Sequence, residues 1–205
     1  MSDPSSDVLI IFTRNPELGK VKTRLAKGVG AENALSIYKT LLEHTRDVVS
    51  QINCTRRVGY SVKIRPTDIW PSEDFEKFEQ EGDDLGDRMY RAFAKAHQDK
   101  FSKVLIVGSD LYDLQPKHIE AAFEALDSHE VVIGPAQDGG YYLLGMRNII
   151  KEVFYNKPWG GDTVFEATMK DLEGYSVHQL ETLNDIDHAE DLKGYPAFEK
   201  YLKKD

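Results

Sequence analysis

The sequence has a single cysteine, Cys54, among 205 residues. It allows no intramolecular disulfide, and neither a thiolate zinc cage nor an iron–sulfur site can be assembled from it. A small buried hydrophobe is the expected role for such a residue. Long apolar runs are missing too. The first, Val8 to Phe12, is far too short to cross a bilayer. The opening Met1-Ser2-Asp3-Pro4-Ser5-Ser6-Asp7 carries no basic segment followed by an apolar stretch. No signal peptide is expected, and a cytoplasmic location is. Asn53-Cys54-Thr55 matches a glycosylation sequon, which without export is a chance match. Positive charge is in deficit, with 26 basic against 35 acidic residues and a net charge of −9. That excludes the broadly basic face of a general nucleic-acid binder, so any anion site must be local.

What is present is ordinary for a globular chain: 40% hydrophobic and 30% charged residues, enough for one domain spanning 1–205. Val8 to Phe12, Lys103 to Gly108 and Glu130 to Gly134 are continuously apolar and rich in β-branched residues, as in strands buried on both faces of a sheet. Amphipathic stretches with helical spacing cover about 31–49, 86–98 and the residues after Pro116. Alternating strands and helices predict a mostly parallel, twisted α/β sheet with helices on both faces. Tyr141 to Met146 follows Val131 to Pro135 after only the short Ala136-Gln137-Asp138-Gly139-Gly140 link, so a hairpin and a mixed sheet are expected. Further along, a helix near 163–172, a short strand near 176–180 and a final helix from about Ala189 are expected.

Ligands of open α/β sheets bind beyond the carboxyl ends of the strands. After the first strand, Arg14, Lys20, Lys22 and Arg24 gather around Gly19, whose backbone an anion can approach closely. On position alone, a solvated charged loop explains them equally well. A Walker A loop is excluded, because Arg14 and Val21 fill the places of its first glycine and its hydroxyl residue. Gly28-Val29-Gly30 lacks the third glycine of a dinucleotide fingerprint, since Asn33 stands there. After the central strand, Asp110 is placed where a carboxylate can hold a hard cation against phosphate oxygens, or can form a turn. Near the C-terminus Asp185 and Asp187 flank Ile186 and point the same way in an extended segment, with Ile186 turned to the core. Two adjacent carboxylates suggest a cation. Asp187 with Glu190 also fits a helix N-cap. Arg88, near a helix start, either reaches a phosphate or pairs with an acid. Trp159, beside Gly160-Gly161, either faces a sugar or base or belongs to the core.

Five segments occur in order: Phe12-Thr13-Arg14-x-Pro16-x-x-Gly19-x-x-Lys22-Thr23-Arg24-Leu25, Gly82-x-x-Leu85-Gly86-x-Arg88-Met89, Gly108-Ser109-Asp110, Gly134-Pro135-x-x-Asp138-Gly139-Gly140-Tyr141-Tyr142, and Asp185-Ile186-Asp187-x-x-Glu190-Asp191-Leu192. Together they resemble the bacterial GT-A-fold transferases commonly labelled glycosyltransferases. These are relatives of nucleotide-diphospho-sugar transferases and of phospholactate and molybdenum-cofactor guanylyltransferases. The resemblance covers nearly the whole chain. It departs from the family at Leu111-Tyr112, where Cys-Pro is common, and at Gly160-Gly161-Asp162, where Ser-Thr is common.

The resemblance implies a GT-A-like fold and a transferase that uses a nucleotide or nucleotide-sugar donor and a small-molecule acceptor. It implies Mg²⁺ or Mn²⁺ held by Asp110, Asp185 and Asp187. Gly19, Lys22 and Arg24 would bind nucleotide phosphates, with Arg14, Lys20 and Arg88 as further candidates read from their positions, and with Asp110, Lys22 and Arg24 assisting catalysis. Asp138, Gly139, Gly140, Tyr141 and Trp159 would line the sugar or acceptor side. Glycosyl transfer is the first expectation and nucleotidyl transfer with release of pyrophosphate the alternative. A non-catalytic nucleotide-binding regulator is the third. The basic side chains of the first loop are expected to face solvent in the free protein.

Overall fold

The computed structural model describes residues 6–202. Seven strands form one sheet: β1 (Asp7–Thr13), β2 (Thr55–Tyr60), β3 (Glu76–Glu79), β4 (Lys103–Val107), β5 (Val131–Pro135), β6 (Tyr141–Met146) and β7 (Val177–Gln179). Their spatial order is β3-β2-β1-β4-β6-β5-β7. Only β6 runs against its neighbours, pairing antiparallel with β4 and with β5, so the expected hairpin and mixed sheet are present. The other pairings are parallel.

Along β1 the apolar side chains alternate between two cores, as pleating requires. Leu9 and Ile11 join Leu105, Val107 and Leu143 beneath α2 (Ala31–Val49) and α4 (Pro116–Ala125). Val8 and Ile10 join Ile106, Ile133 and Leu144 beneath α3 (Leu85–Gln98) and the turn at Phe154. The spacing of Leu35, Tyr38, Leu41, Leu42 and Thr45 therefore marks one packed face of α2, and four of these five side chains are buried. Two further helices are short: α1 (Thr23–Val29) and α5 (Val164–Asp171).

Four elements differ from expectation. β2 and β3 were not anticipated, because both are polar in sequence: β2 carries Arg56 and Arg57, and β3 carries Glu76 and Glu79. Arg57 pairs there with Glu76 at 2.6 Å and with Asp99 at 2.8 Å. α1 forms where the sequence reads as the end of the charged first loop. The final helix from Ala189 does not form. Only 3₁₀ turns appear, at Glu190–Leu192 and Glu199–Tyr201, with Gly194 (φ +87°) and Pro196 interrupting any longer helix.

This C-terminal segment nevertheless has its own core. Ile186, Leu192 and Phe198 are buried against Leu25 of α1 and Ile37 and Leu41 of α2. Tyr112, where the resembling family has proline, packs edge to face against Phe198 at 4.8 Å and against Tyr195 at 5.6 Å. Asp113 accepts the Tyr195 hydroxyl at 2.5 Å, and Gln115 caps α4. The departure from the family pattern thus anchors the tail that carries Asp185 and Asp187.

Candidate functional site

A cavity of about 690 Å³ opens at the carboxyl ends of β1 and β4. Arg14, Arg88, Asp110, Asp138 and Asp185 line it, with Gly140, Tyr141 and Trp159. The expected phosphate, metal and acceptor residues are therefore brought together in part. Gly19, Lys20, Lys22, Arg24, Gly139 and Asp187 lie outside the cavity lining.

The first loop is built to hold Arg14 in place. Asn15, buried, accepts the Val62 and Lys63 N–H groups at 3.2 Å each and donates to the Lys63 carbonyl at 2.8 Å. The Arg14 N–H donates to the Tyr38 hydroxyl at 2.9 Å, so a core-facing residue of α2 also positions the loop. Gln80 ties β1 to β2 by donating to the carbonyls of Gly59 at 2.8 Å and Thr13 at 3.3 Å. Tyr38 and Gln80 also line the cavity, and the sequence does not single them out as site residues. Their contacts are long-range and leave no local signal.

Lys22 overturns the expectation of solvent-facing charges. Its side chain is only 5% exposed, and its ammonium lies 2.9 Å from Asp110 Oδ2 and 3.8 Å from Asp187 Oδ1. The residue takes a left-handed conformation (φ 48°, ψ 47°) just before α1, uncommon for a side chain other than glycine and maintained where surrounding contacts outweigh its cost. Burial works against its charged form, yet Asp110, with Asp187 and Asp185, holds the ammonium above the ordinary lysine range. Arg24 pairs with Asp187 Oδ2 at 2.9 Å. Lys20, 74% exposed, pairs with Glu17 at 2.8 Å.

Asp187 is not an N-cap. Asp191 instead accepts the N–H groups of Asp187 and His188, at 3.0 and 2.6 Å, and frees the Asp187 carboxylate for Arg24 and Lys22. Ile186 is buried as expected, and its N–H donates to the Asp110 carbonyl at 3.0 Å, tying the tail to the loop after β4. Asp185 faces the cavity. Burial pushes its carboxyl up to about 6, and the Asp138 and Asp110 charges add to the rise while Lys22 opposes it. Asp138 accepts the Gly140 N–H at 2.8 Å.

Among the described residues, no three ligating side chains converge as a metal cage. The donor chemistry nonetheless fits a hard divalent cation. Asp110 and Asp187 already share one cation, the Lys22 ammonium, and the charged form of Asp185 is disfavoured first by burial and then by the Asp138 and Asp110 carboxylates. Mg²⁺ sites commonly use one or two carboxylates with waters and substrate phosphates rather than a complete protein cage.

The opposite wall is fixed by close approach. Gly139 has φ +86°, and a Cβ there would lie 1.9 Å from the Asp162 carbonyl oxygen. The Phe165 N–H donates to the Gly139 carbonyl at 2.9 Å, so the β5–β6 turn and the 158–163 loop hold each other. Three polar atoms on the cavity's lining residues are buried without a hydrogen-bond partner: Ser109 Oγ, Tyr141 Oη and Trp159 Nε1. Tyr141 lies beside Thr168 without a bond of ordinary geometry.

A family model described as "Uncharacterized protein conserved in bacteria (DUF2064)" matches residues 45–161, more than half of the chain. The chain belongs to the DUF2064 family. A crystal structure from Desulfovibrio desulfuricans G20, assigned as a nucleotide-diphospho-sugar transferase, is 29% identical to this DUF2064 protein. It covers 95% of this chain and 91% of its own, with a TM-score of 0.86. The 4-diphosphocytidyl-2C-methyl-D-erythritol synthase of Anaerococcus prevotii is 12% identical over 97% of this chain and 100% of its own, with a TM-score of 0.60. Glucosyl-3-phosphoglycerate synthase of Mycobacterium tuberculosis, solved with Mn²⁺, UDP and glucosyl-3-phosphoglycerate, is 11% identical over 87% of this chain and 70% of its own, at a TM-score of 0.54. The DUF2064 fold is thus GT-A-like, shared with nucleotide-diphospho-sugar transferases and nucleotidyltransferases. A comparison with curated protein sequences finds no match. Among the described residues, no helix is long and apolar enough to cross a membrane.

Proposed function

We propose that this DUF2064 protein is a metal-dependent transferase that moves a glycosyl group from a nucleotide sugar to a small hydroxyl-bearing acceptor. The observation that carries the proposal is the cavity's two-sided chemistry. One side joins Asp110 to Lys22 and Asp187, and the other presents Asp138, Tyr141 and Trp159. Asp110 and Asp187, with Asp185 beside them, would hold Mg²⁺ or Mn²⁺. Such an ion, when bound, neutralises charge on the departing diphosphate.

The chain's own groups do the rest. Lys22, released from its carboxylates, supplies an ammonium at the diphosphate, where stabilising developing charge is the largest expected contribution. Arg14 and Arg88 form no ion pair among the described residues and line the cavity, so their guanidinium groups are available to the donor's phosphates. The partnerless Tyr141 hydroxyl and Trp159 N–H are donors for sugar oxygens, and hydrogen-bonding them relieves the cost of burying them alone. The acceptor hydroxyl attacks the anomeric carbon, the bond to the diphosphate breaks, and Asp138 would take the proton.

Nucleotidyl transfer requires several free cations for a triphosphate. Of the four basic residues in the first loop, Lys20 and Arg24 stay paired with carboxylates, which leaves Arg14 and the released Lys22 to match the smaller charge of a diphosphate sugar. A thermal-shift panel of nucleotide sugars and nucleoside triphosphates, each with and without Mn²⁺, tests the reading. A metal-dependent shift with a nucleotide sugar supports it, and a shift with triphosphates alone contradicts it.

A further inference from the structure

A second cavity, of about 310 Å³, lies between α2 and the 65–70 loop. Three cations reach it, Arg14, Lys39 and Arg65, with two carboxylates, Glu43 and Asp68. Asp68 is already engaged: it accepts from Lys77 Nζ at 2.9 Å, from the Trp70 N–H at 2.9 Å and from the Tyr60 hydroxyl. Arg14 and Lys39 form no ion pair among the described residues. Arg65 reaches Glu17 only at 3.6 Å, and Glu17 is held closer by Lys20, at 2.8 Å. The Arg65 Nε is buried with no hydrogen-bond partner. In a chain of net charge −9, this is a local surplus of positive charge around a concave surface, with one guanidinium N–H lacking its acceptor.

We propose that this second cavity binds a compact organic phosphomonoester, separately from the donor in the main cavity. Three cations approaching from the first loop, α2 and the 65–70 loop match the several oxygens and the double charge of a phosphate. A carboxylate would be satisfied by a single guanidinium fork. Leu42, Ile69 and Trp70 add apolar wall for a short carbon skeleton, which inorganic phosphate would leave unused. Thr13 and Arg14 line both cavities, so the partition between them is the first loop itself. A ligand that draws the Arg14 side chain into the second cavity removes it from the first. Donor and phosphomonoester therefore weaken each other's binding by the same factor, as linkage requires.

Calorimetric titration of glycerol 3-phosphate into the full chain tests this without any nucleotide, so its outcome is independent of the chemistry proposed for the main cavity. Lys39→Gln and the double variant Lys39→Gln/Arg65→Gln remove cations of the second cavity alone, and Arg88→Gln removes one of the main cavity alone. Wild type and Arg88→Gln are expected to bind. The double variant, with an unchanged melting temperature, is expected to lose roughly tenfold or more in affinity. Lys39→Gln, an exposed change, is expected to lose part of that. Glycerol and acetate should give no saturable heat. Unchanged affinity in the double variant, loss of binding in Arg88→Gln alone, or no binding up to roughly 10 mM would overturn the proposal.

Discussion

Lys22 occupies the position of a cation between two carboxylates, and this single residue makes the strongest claim on the metal-free protein. Lys22→Ala leaves Asp110 and Asp187 facing each other without it, and the free protein should lose about 1–3 kcal/mol. Mn²⁺ should restore most of that loss by taking over the ammonium's role. Urea unfolding with and without Mn²⁺ checks both parts, and a variant as stable as wild type in the absence of metal would refute the account of Lys22. Asp185 gives a second test, with a defined sign. Its folded-state carboxyl titrates at about 6 against an ordinary 3.8, so the folded form holds the extra proton between those values. Stability from this group is therefore complete at low pH, declines as pH rises through about 6, and stays reduced above. Asp185→Asn should stabilise the metal-free protein by about 1–2 kcal/mol near pH 7.5, after allowing for solvent screening, and by little below about pH 4. A melting-temperature profile over pH that is unaltered by the substitution would contradict this.

At the scale of elements, what sequence reasoning reached follows burial. β1, β4 and β5 are apolar on both faces because two cores enclose them, and that pattern survives in sequence. β2 and β3 lie at the margin of the sheet, where Arg56, Arg57, Glu76 and Glu79 mask any alternation. The motif residues Asp110, Asp185 and Asp187 could be located by their place after strands or in an extended segment. Their pairing with Lys22 and Arg24 could not, because those contacts span long stretches of chain and depend on how the tail packs on α1 and α2. The tail's lack of a helix was hidden for a similar reason: its order comes from Tyr112, Tyr195 and Phe198 packing together. The cavity wall opposite Asp110 depends on two segments held in contact at Gly139. Gly139→Ala puts a methyl group against the Asp162 carbonyl at a positive φ. It should lower stability by about 1–3 kcal/mol and displace the Trp159 loop. A drop in Trp fluorescence response to nucleotide sugar, with metal binding retained, would show that the wall rather than the metal side has moved. An unchanged melting temperature would argue against the contact.

For the molecule as a whole, an acidic chain places three cations without a carboxylate partner among the described residues, Arg14, Arg88 and Lys39, at two cavities on either side of one loop. Most of its partnerless buried polar atoms belong to residues lining the same cavities. Of the five such atoms among the described residues, only His97 Nε2 belongs to neither cavity lining, which points to ligand binding rather than faulty packing as their explanation. The GT-A-like fold is compatible with glycosyl and nucleotidyl transfer alike, so the leaving group decides between them. The most direct measurement is product analysis after incubating the protein with Mn²⁺ and a set of nucleotide sugars or nucleoside triphosphates, with and without candidate acceptors. The account predicts slow, metal-dependent release of a nucleoside diphosphate from at least one nucleotide sugar even without acceptor, water serving as a poor nucleophile, and loss of that release in Asp110→Asn. Pyrophosphate formed from a triphosphate, with every nucleotide sugar left intact, would contradict it.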